Sequence, residues 1–122
     1  MSAQIDFVLV DQPIEFVDSS VAFRPAAKVP LDVIASLLAG APDASFAIEV
    51  HTDGRGAPAK NLALSKRRGE AIRSALISRG VPGQHLQIDG RGEAEPIAND
   101  ATLKGQSANR RVSFVYLPTP SV

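Results

Sequence analysis

The stretch VHTDGRGAPAKNLALSKRR, Val50 to Arg68, joins the end of an apolar run to the start of a helical pattern through a loop holding two glycines and a proline. Just before and into it, ASFAIEVHTD alternates: Phe46, Ile48 and Val50 point one way, and Ala47, Glu49, His51 and Asp53 the other. Period two over that length predicts a half-exposed strand ending at an acid. Beyond the loop a helix is predicted from about Leu62 to Arg79, with Asn61 as N-cap and Gly80 as its stop. A strand–loop–helix connection brings strand end and helix start together, so Asp53 and Arg68 are candidates for opposite walls of one cleft.

Outward from this unit the chain offers two short strand-like pieces, Ile5–Val10 and Ile14–Val17, separated by the turn signal DQP. RPAAKVPLDVIASLLAG then reads as a helix of roughly Ala26 to Ala39, with Leu31, Ile34, Leu37 and Leu38 at helical spacing and Gly40 at its C-terminal cap. Pro30 belongs in the first turn of that helix rather than its interior. Past Gly80 come a turn, a short strand near Leu86–Asp89, a Gly-rich bend, and a polar segment IANDATLKGQSAN read as loop with at most one helical turn. RRVSFVYL closes the chain as a strand, before a Pro-containing tail. The order β-β-α-β-α-β-β predicts an α+β fold of the split βαβ type, a mixed sheet with two main helices on one face.

Composition narrows the function. The 122 residues fit one domain able to bury a core. Thirteen basic and thirteen acidic side chains cancel, so the total charge carries no footprint for nucleic acid or an anionic membrane. The absence of cysteine removes disulfides, thiol nucleophiles and thiolate metal sites together. The N-terminal residues show no secretory signal, and no apolar run approaches the roughly 20 residues of a membrane span.

The informative anomaly is Arg68. On a helical wheel Leu64, Ala71, Ile72 and Ala75 form an apolar stripe, with Lys66, Arg67, Glu70, Arg73 and Ser74 opposite, and Arg68 projects into the stripe. A guanidinium there must be paired, must reach water, or must line a pocket, because burying it alone costs several kcal/mol. A planar fork of donors suits a carboxylate ligand. An acid and a base across a small gap can clamp a zwitterion, with Asp53 on the ammonium and Arg68 on the carboxylate. An internal ion pair is the competing structural reading, and a helix cap is the competing role for Asn61.

Spaced motifs now align with a family. His51-Thr52-Asp53, Gly56, Asn61, Leu64-Ser65, Arg68, Gly90 and Gly92, Pro96 and Asn109-Arg110-Arg111-Val112 occur in the order seen in the OmpA-like C-terminal domain, which the chain resembles from about Pro13 to Leu117. That resemblance implies a non-enzymatic, cofactor-free module that binds the peptidoglycan stem peptide through its diaminopimelate and anchors a larger envelope protein to the cell wall. It implies Asp53 on the ammonium, Arg68 on the carboxylate, and Thr52, Asn61 and Leu64 shaping the pocket. Arg110 is a further candidate, with a structural ion pair as its alternative. Partners so implied are the stem peptide, no nucleic acid, and a membrane only through parts of the protein outside this chain; a homodimer is left open. The implied location is the periplasm, the chain being a mature domain or fragment. Val50 replaces the Gly usual before His51, Gln106 the Arg frequent after the late Gly, and Gly69 stands where a better helix former is expected.

Two rival readings remain at this level. One is an OmpA-like fold kept for protein–protein contact or dimerisation without wall binding. The other, more remote, is a metal-dependent hydrolase on Glu49, His51 and Asp53, although ligands on a single strand are an unusual metal set. The two GRG segments lack the Lys-Ser/Thr of a phosphate loop.

Overall fold

The computed structural model describes residues 13–117. After a 3-10 turn at Pro25–Ala27 come α1 (Lys28–Ala39), β1 (Ser45–His51), α2 (Pro58–Ile77), a second 3-10 turn (Gly83–His85), β2 (Leu86–Gly92), α3 (Leu103–Asn109) and β3 (Arg111–Leu117). The sheet order is β2-β1-β3. Two parallel strands need a long crossover, and α2 supplies it between β1 and β2. β3 returns antiparallel on the other side of β1, pairing Ile48 with Phe114, Val50 with Val112 and His51 with Arg111. The result is the expected α+β architecture with a mixed sheet.

The core is the Phe46–Ile48–Val50 face of β1 covered by α1 and α2. Leu31, Ile34, Ala35 and Leu38 recur at helical spacing on α1 and bury together with Ile72 and Leu76 of α2 and Phe114 of β3. Pro30 lies in the first turn of α1, where its missing N–H removes no helical hydrogen bond. Asp32 accepts from Lys28 and from Arg79, both at 2.7 Å, tying α1 to the end of α2.

Several expectations need correction. Ile14–Val17 forms no strand, only an isolated bridge of Phe16 to Phe23, whose rings stack at 4.7 Å across a turn; the Ile5–Val10 piece lies outside the described residues. The opposite face of β1 is not half exposed: His51 is buried, with Nε2 2.6 Å from Glu49, because β1 is the middle strand and is flanked on both sides. The helix after the loop begins at Pro58, with Ala57 as N-cap, so Asn61 lies inside the first turn and is not the cap. Proline at the first helical position costs nothing there. Gly80 does stop the region after α2, at φ 93°. The polar segment before β3 holds the seven-residue helix α3, capped by Thr102, whose Oγ1 accepts from the Gly105 amide at 2.9 Å.

The buried stripe of α2 is also rotated from the apolar one. It runs Asn61, Ser65, Arg68, Gly69, Ile72 and Leu76, because small residues let β2 approach the helix axis. A Cβ on Gly69 would lie 2.6 Å from Ile88 Cγ2, and one on Gly90 would lie 2.7 Å from the Lys66 amide nitrogen. Close approach therefore accounts for Gly69, which helix propensity alone disfavours. Arg73, expected on the solvated face, donates from Nε to the Leu86 carbonyl and from Nη2 to that of Gly83, pinning the connection into β2.

Candidate functional site

One end of the sheet gathers the candidate residues. Since His51 pairs with Arg111, the next residues outward, Thr52-Asp53 on one strand and Arg110 on the other, meet at the same edge. The β2 end joins them: the Thr52 amide donates to the Gly92 carbonyl at 2.9 Å. Ser65 seats β2 on α2 by accepting from the Gly92 amide (3.0 Å) and donating to the Leu62 carbonyl (2.8 Å). Above this edge opens a hollow of about 380 Å³. Thr52, Asp53, Asn61, Leu64, Arg68 and Arg110 all line it.

Asp53 has a side chain only 6% exposed, so its partners decide its charge. Oδ1 accepts from the Arg55 amide (3.0 Å) and Nε (3.1 Å), and Oδ2 from Arg55 Nη2 (2.9 Å) and Arg110 Nη1 (2.7 Å). Burial pushes the carboxyl up, but the hydrogen bonds from Arg55 and Arg110 outweigh it and hold the group at about 2. Asp53 is thus an anion at every physiological pH. Its loop is fixed from behind: the Gly54 amide donates to Asp100 Oδ2 at 2.6 Å, and Asn109 Nδ2 donates to Asp100 Oδ1 at 2.6 Å.

Arg68 is 7% exposed. Its Nε donates to the Ser20 carbonyl (2.9 Å) and Nη2 to the Val17 carbonyl (3.4 Å), while its guanidinium carbon stands 4.9 Å over the Phe16 ring. It forms no ion pair among the described residues. Desolvation and the neighbouring Arg110 charge both push its pKa down from the usual value. Asp53 and Arg68 therefore share the hollow without bonding each other, which corrects the picture of an open acid facing an open base: among the described residues the base bonds no carboxylate, and the acid is already held by two guanidiniums.

The other candidates divide between wall and brace. Asn61 Nδ2 donates to the Arg55 carbonyl and to Glu93 Oε1, each at 2.9 Å, so it braces the loop rather than capping α2. Thr52 Oγ1 donates to the Asp53 carbonyl at 3.0 Å, and Leu64 adds apolar wall. Glu49, His51 and Asp53 do not converge as metal ligands, since Glu49 faces His51 while Asp53 faces arginines; among the described residues no group of three such side chains comes together.

Arg55, Glu93 and Asp100 carry weight that sequence reading missed. Arg55 was visible between Gly54 and Gly56 two residues past the acid, at a spacing where an Asp and the following backbone form a local turn. Asp100 reaches Gly54 from far along the chain, and no local pattern marks such a contact.

The profile of the OmpA family matches residues 15–110. Peptidoglycan-binding protein ArfA of Mycobacterium tuberculosis is 37% identical over 103 residues, 84% of this chain and 32% of that protein. The peptidoglycan-associated lipoprotein of Rhizobium meliloti is 39% identical over 114 residues, 93% of this chain and 65% of that protein. The chain thus spans between about a third and two thirds of the length of these curated relatives. The crystal structure of the peptidoglycan-associated lipoprotein from Burkholderia pseudomallei superposes with a TM-score of 0.78 at 30% identity, covering 85% of this chain and 88% of that one. The C-terminal domain of Helicobacter pylori MotB shares the fold, with a TM-score of 0.78 at 20% identity over 87% of this chain and 83% of that one. The motif order, the mixed sheet and these likenesses agree, and the chain belongs to the OmpA family.

Proposed function

We propose that this chain acts as one peptidoglycan-binding domain of the cell envelope, holding the wall non-covalently and without catalysis. In this reading the diaminopimelate end of a stem peptide enters the hollow, its carboxylate on Arg68 and its ammonium on Asp53. The names of the relatives support the partner, and one observation carries the mode: among the described residues the buried Arg68 cation bonds carbonyl oxygens only, with Asp18 and Asp53 attracting it but forming no ion pair. A bound carboxylate supplies a directly bonded counter-charge, and the guanidinium fork can meet it with two parallel hydrogen bonds.

Co-sedimentation with purified peptidoglycan tests the reading. The parent protein is expected in the pellet, and Arg68→Ala and Asp53→Asn in the supernatant, with thermal unfolding followed in parallel to separate lost binding from lost fold. Breaking one member of a desolvated ligand pair costs about 2–5 kcal/mol, enough to empty the pellet. Parent protein that stays in solution, or variants retained like the parent, would contradict it.

A further inference from the structure

The two arginines on Asp53 differ in kind. Arg110 is 35% exposed in its side chain and stands at the root of β3, while the Arg55 side chain is 54% exposed. Together they fill the roughly four lone-pair sites of a carboxylate. An incoming ammonium can therefore reach Asp53 only by displacing a guanidinium, and Arg55 is the more exposed of the two. The backbone of Arg55 is held apart from its side chain: its amide bonds Asp53 Oδ1, its carbonyl accepts from Asn61, and Gly54 before it is bonded to Asp100. The guanidinium can swing away while the loop and the Asp53 carboxylate keep their places. Asp18, which lines the same hollow, and Asp100 exert attractive charge on Arg55 and offer it somewhere to go.

We propose that Arg55 is a built-in competitor for the ligand's ammonium, a specificity-determining residue that occupies Asp53 until a ligand bearing both charges replaces it. The proposal rests on the wall-binding reading above and adds the order of events within that site. Self-occupation lowers apparent affinity by the fraction of molecules in which Asp53 is taken. It acts only on ligands that use Asp53. A ligand with the carboxylate and no ammonium meets Arg68 without disturbing Arg55.

Isothermal titration of the parent protein and Arg55→Ala with diaminopimelate and with its N,N′-diacetyl form separates the possibilities. Arg55→Ala should bind diaminopimelate about two- to fivefold more tightly, the scale of a solvent-exposed ion pair, and should show no gain for the diacetyl compound. Unchanged or weaker binding of diaminopimelate by Arg55→Ala, or an equal gain for both compounds, would overturn the competitor role while leaving wall binding standing. Failure of both proteins to bind diaminopimelate would overturn the wall-binding reading and this proposal with it.

Discussion

Asp53 shows how a side chain's neighbours set its chemistry. Burial alone would favour the neutral acid, yet the guanidiniums of Arg55 and Arg110 keep it ionised with a pKa of about 2 against an ordinary 3.8. A carboxyl depressed in the folded state contributes stability that is fully present above the unfolded value and is lost as pH falls through the folded one. Between about pH 4 and pH 2 the protein should therefore lose up to about 2 kcal/mol from this group. Urea unfolding at a series of pH values checks this. Asp53→Asn should flatten that part of the curve, and an unaltered pH dependence in the variant would assign the loss elsewhere. At this scale the sequence was legible where a residue broke its local pattern. Arg68 stood out as a charge in an apolar stripe, and it is buried. Arg110 carried two alternatives, and its bond to Asp53 makes it part of an ion pair at the wall of the hollow. The pairing of Arg55 with Asp53 has no signature in the GRG segment beyond the two-residue spacing.

At the scale of elements, β1, α1, α2, β2 and β3 lie within a few residues of where the sequence places them, and the two long helices bury faces at the 3.6 period. Two elements escaped. The strand expected at Ile14–Val17 has the right apolar residues but turns back at Asp18-Ser19, Ser19 adopting φ 57°, and the carbonyls of Val17 and Ser20 at that turn accept from Arg68. The helix α3 exceeds the single turn that the sequence suggests, because its anchor is polar and leaves no apolar period to read. Asn109 is fully buried, accepts from the amides of Ile97 (2.7 Å) and Ala98 (2.9 Å), and donates to the Ala98 carbonyl (3.0 Å) and to Asp100. One amide side chain thus replaces the hydrogen bonding that regular structure would supply to that segment. Asn109→Ala removes the partner of several partly buried polar groups, and a loss of roughly 1–3 kcal/mol of unfolding free energy is expected from chemical denaturation. Stability within about 0.5 kcal/mol of the parent would show that water replaces the side chain, in the range of an ordinary surface substitution. Because Asn109 also holds Asp100 against the Asp53 loop, the same variant should weaken wall binding even where it remains folded.

Across the whole molecule the hollow is assembled from four distant stretches: the turn before α1, the loop after β1, the first half of α2 and the start of β3. Their meeting follows from topology, since β3 returns antiparallel beside β1 and sets Arg110 next to Asp53, while α2 leaves β1 at the same end. Reading the sequence could place Asp53 and Arg68 near one gap. The bracing contacts from Glu93 and Asp100 depend on long-range packing and could not be read from local spacing. The central claim is that Arg68, which bonds no carboxylate among the described residues, takes a ligand carboxylate in this hollow. The most direct measurement is an NMR titration of isotopically labelled protein with a diaminopimelate-containing stem peptide, following the Arg68 Nε–H resonance and the backbone amides. The account predicts a saturable shift of that side-chain signal together with the amides of Thr52, Asp53 and Asn61. Saturable shifts elsewhere with Arg68 unmoved, or none at all, would contradict it.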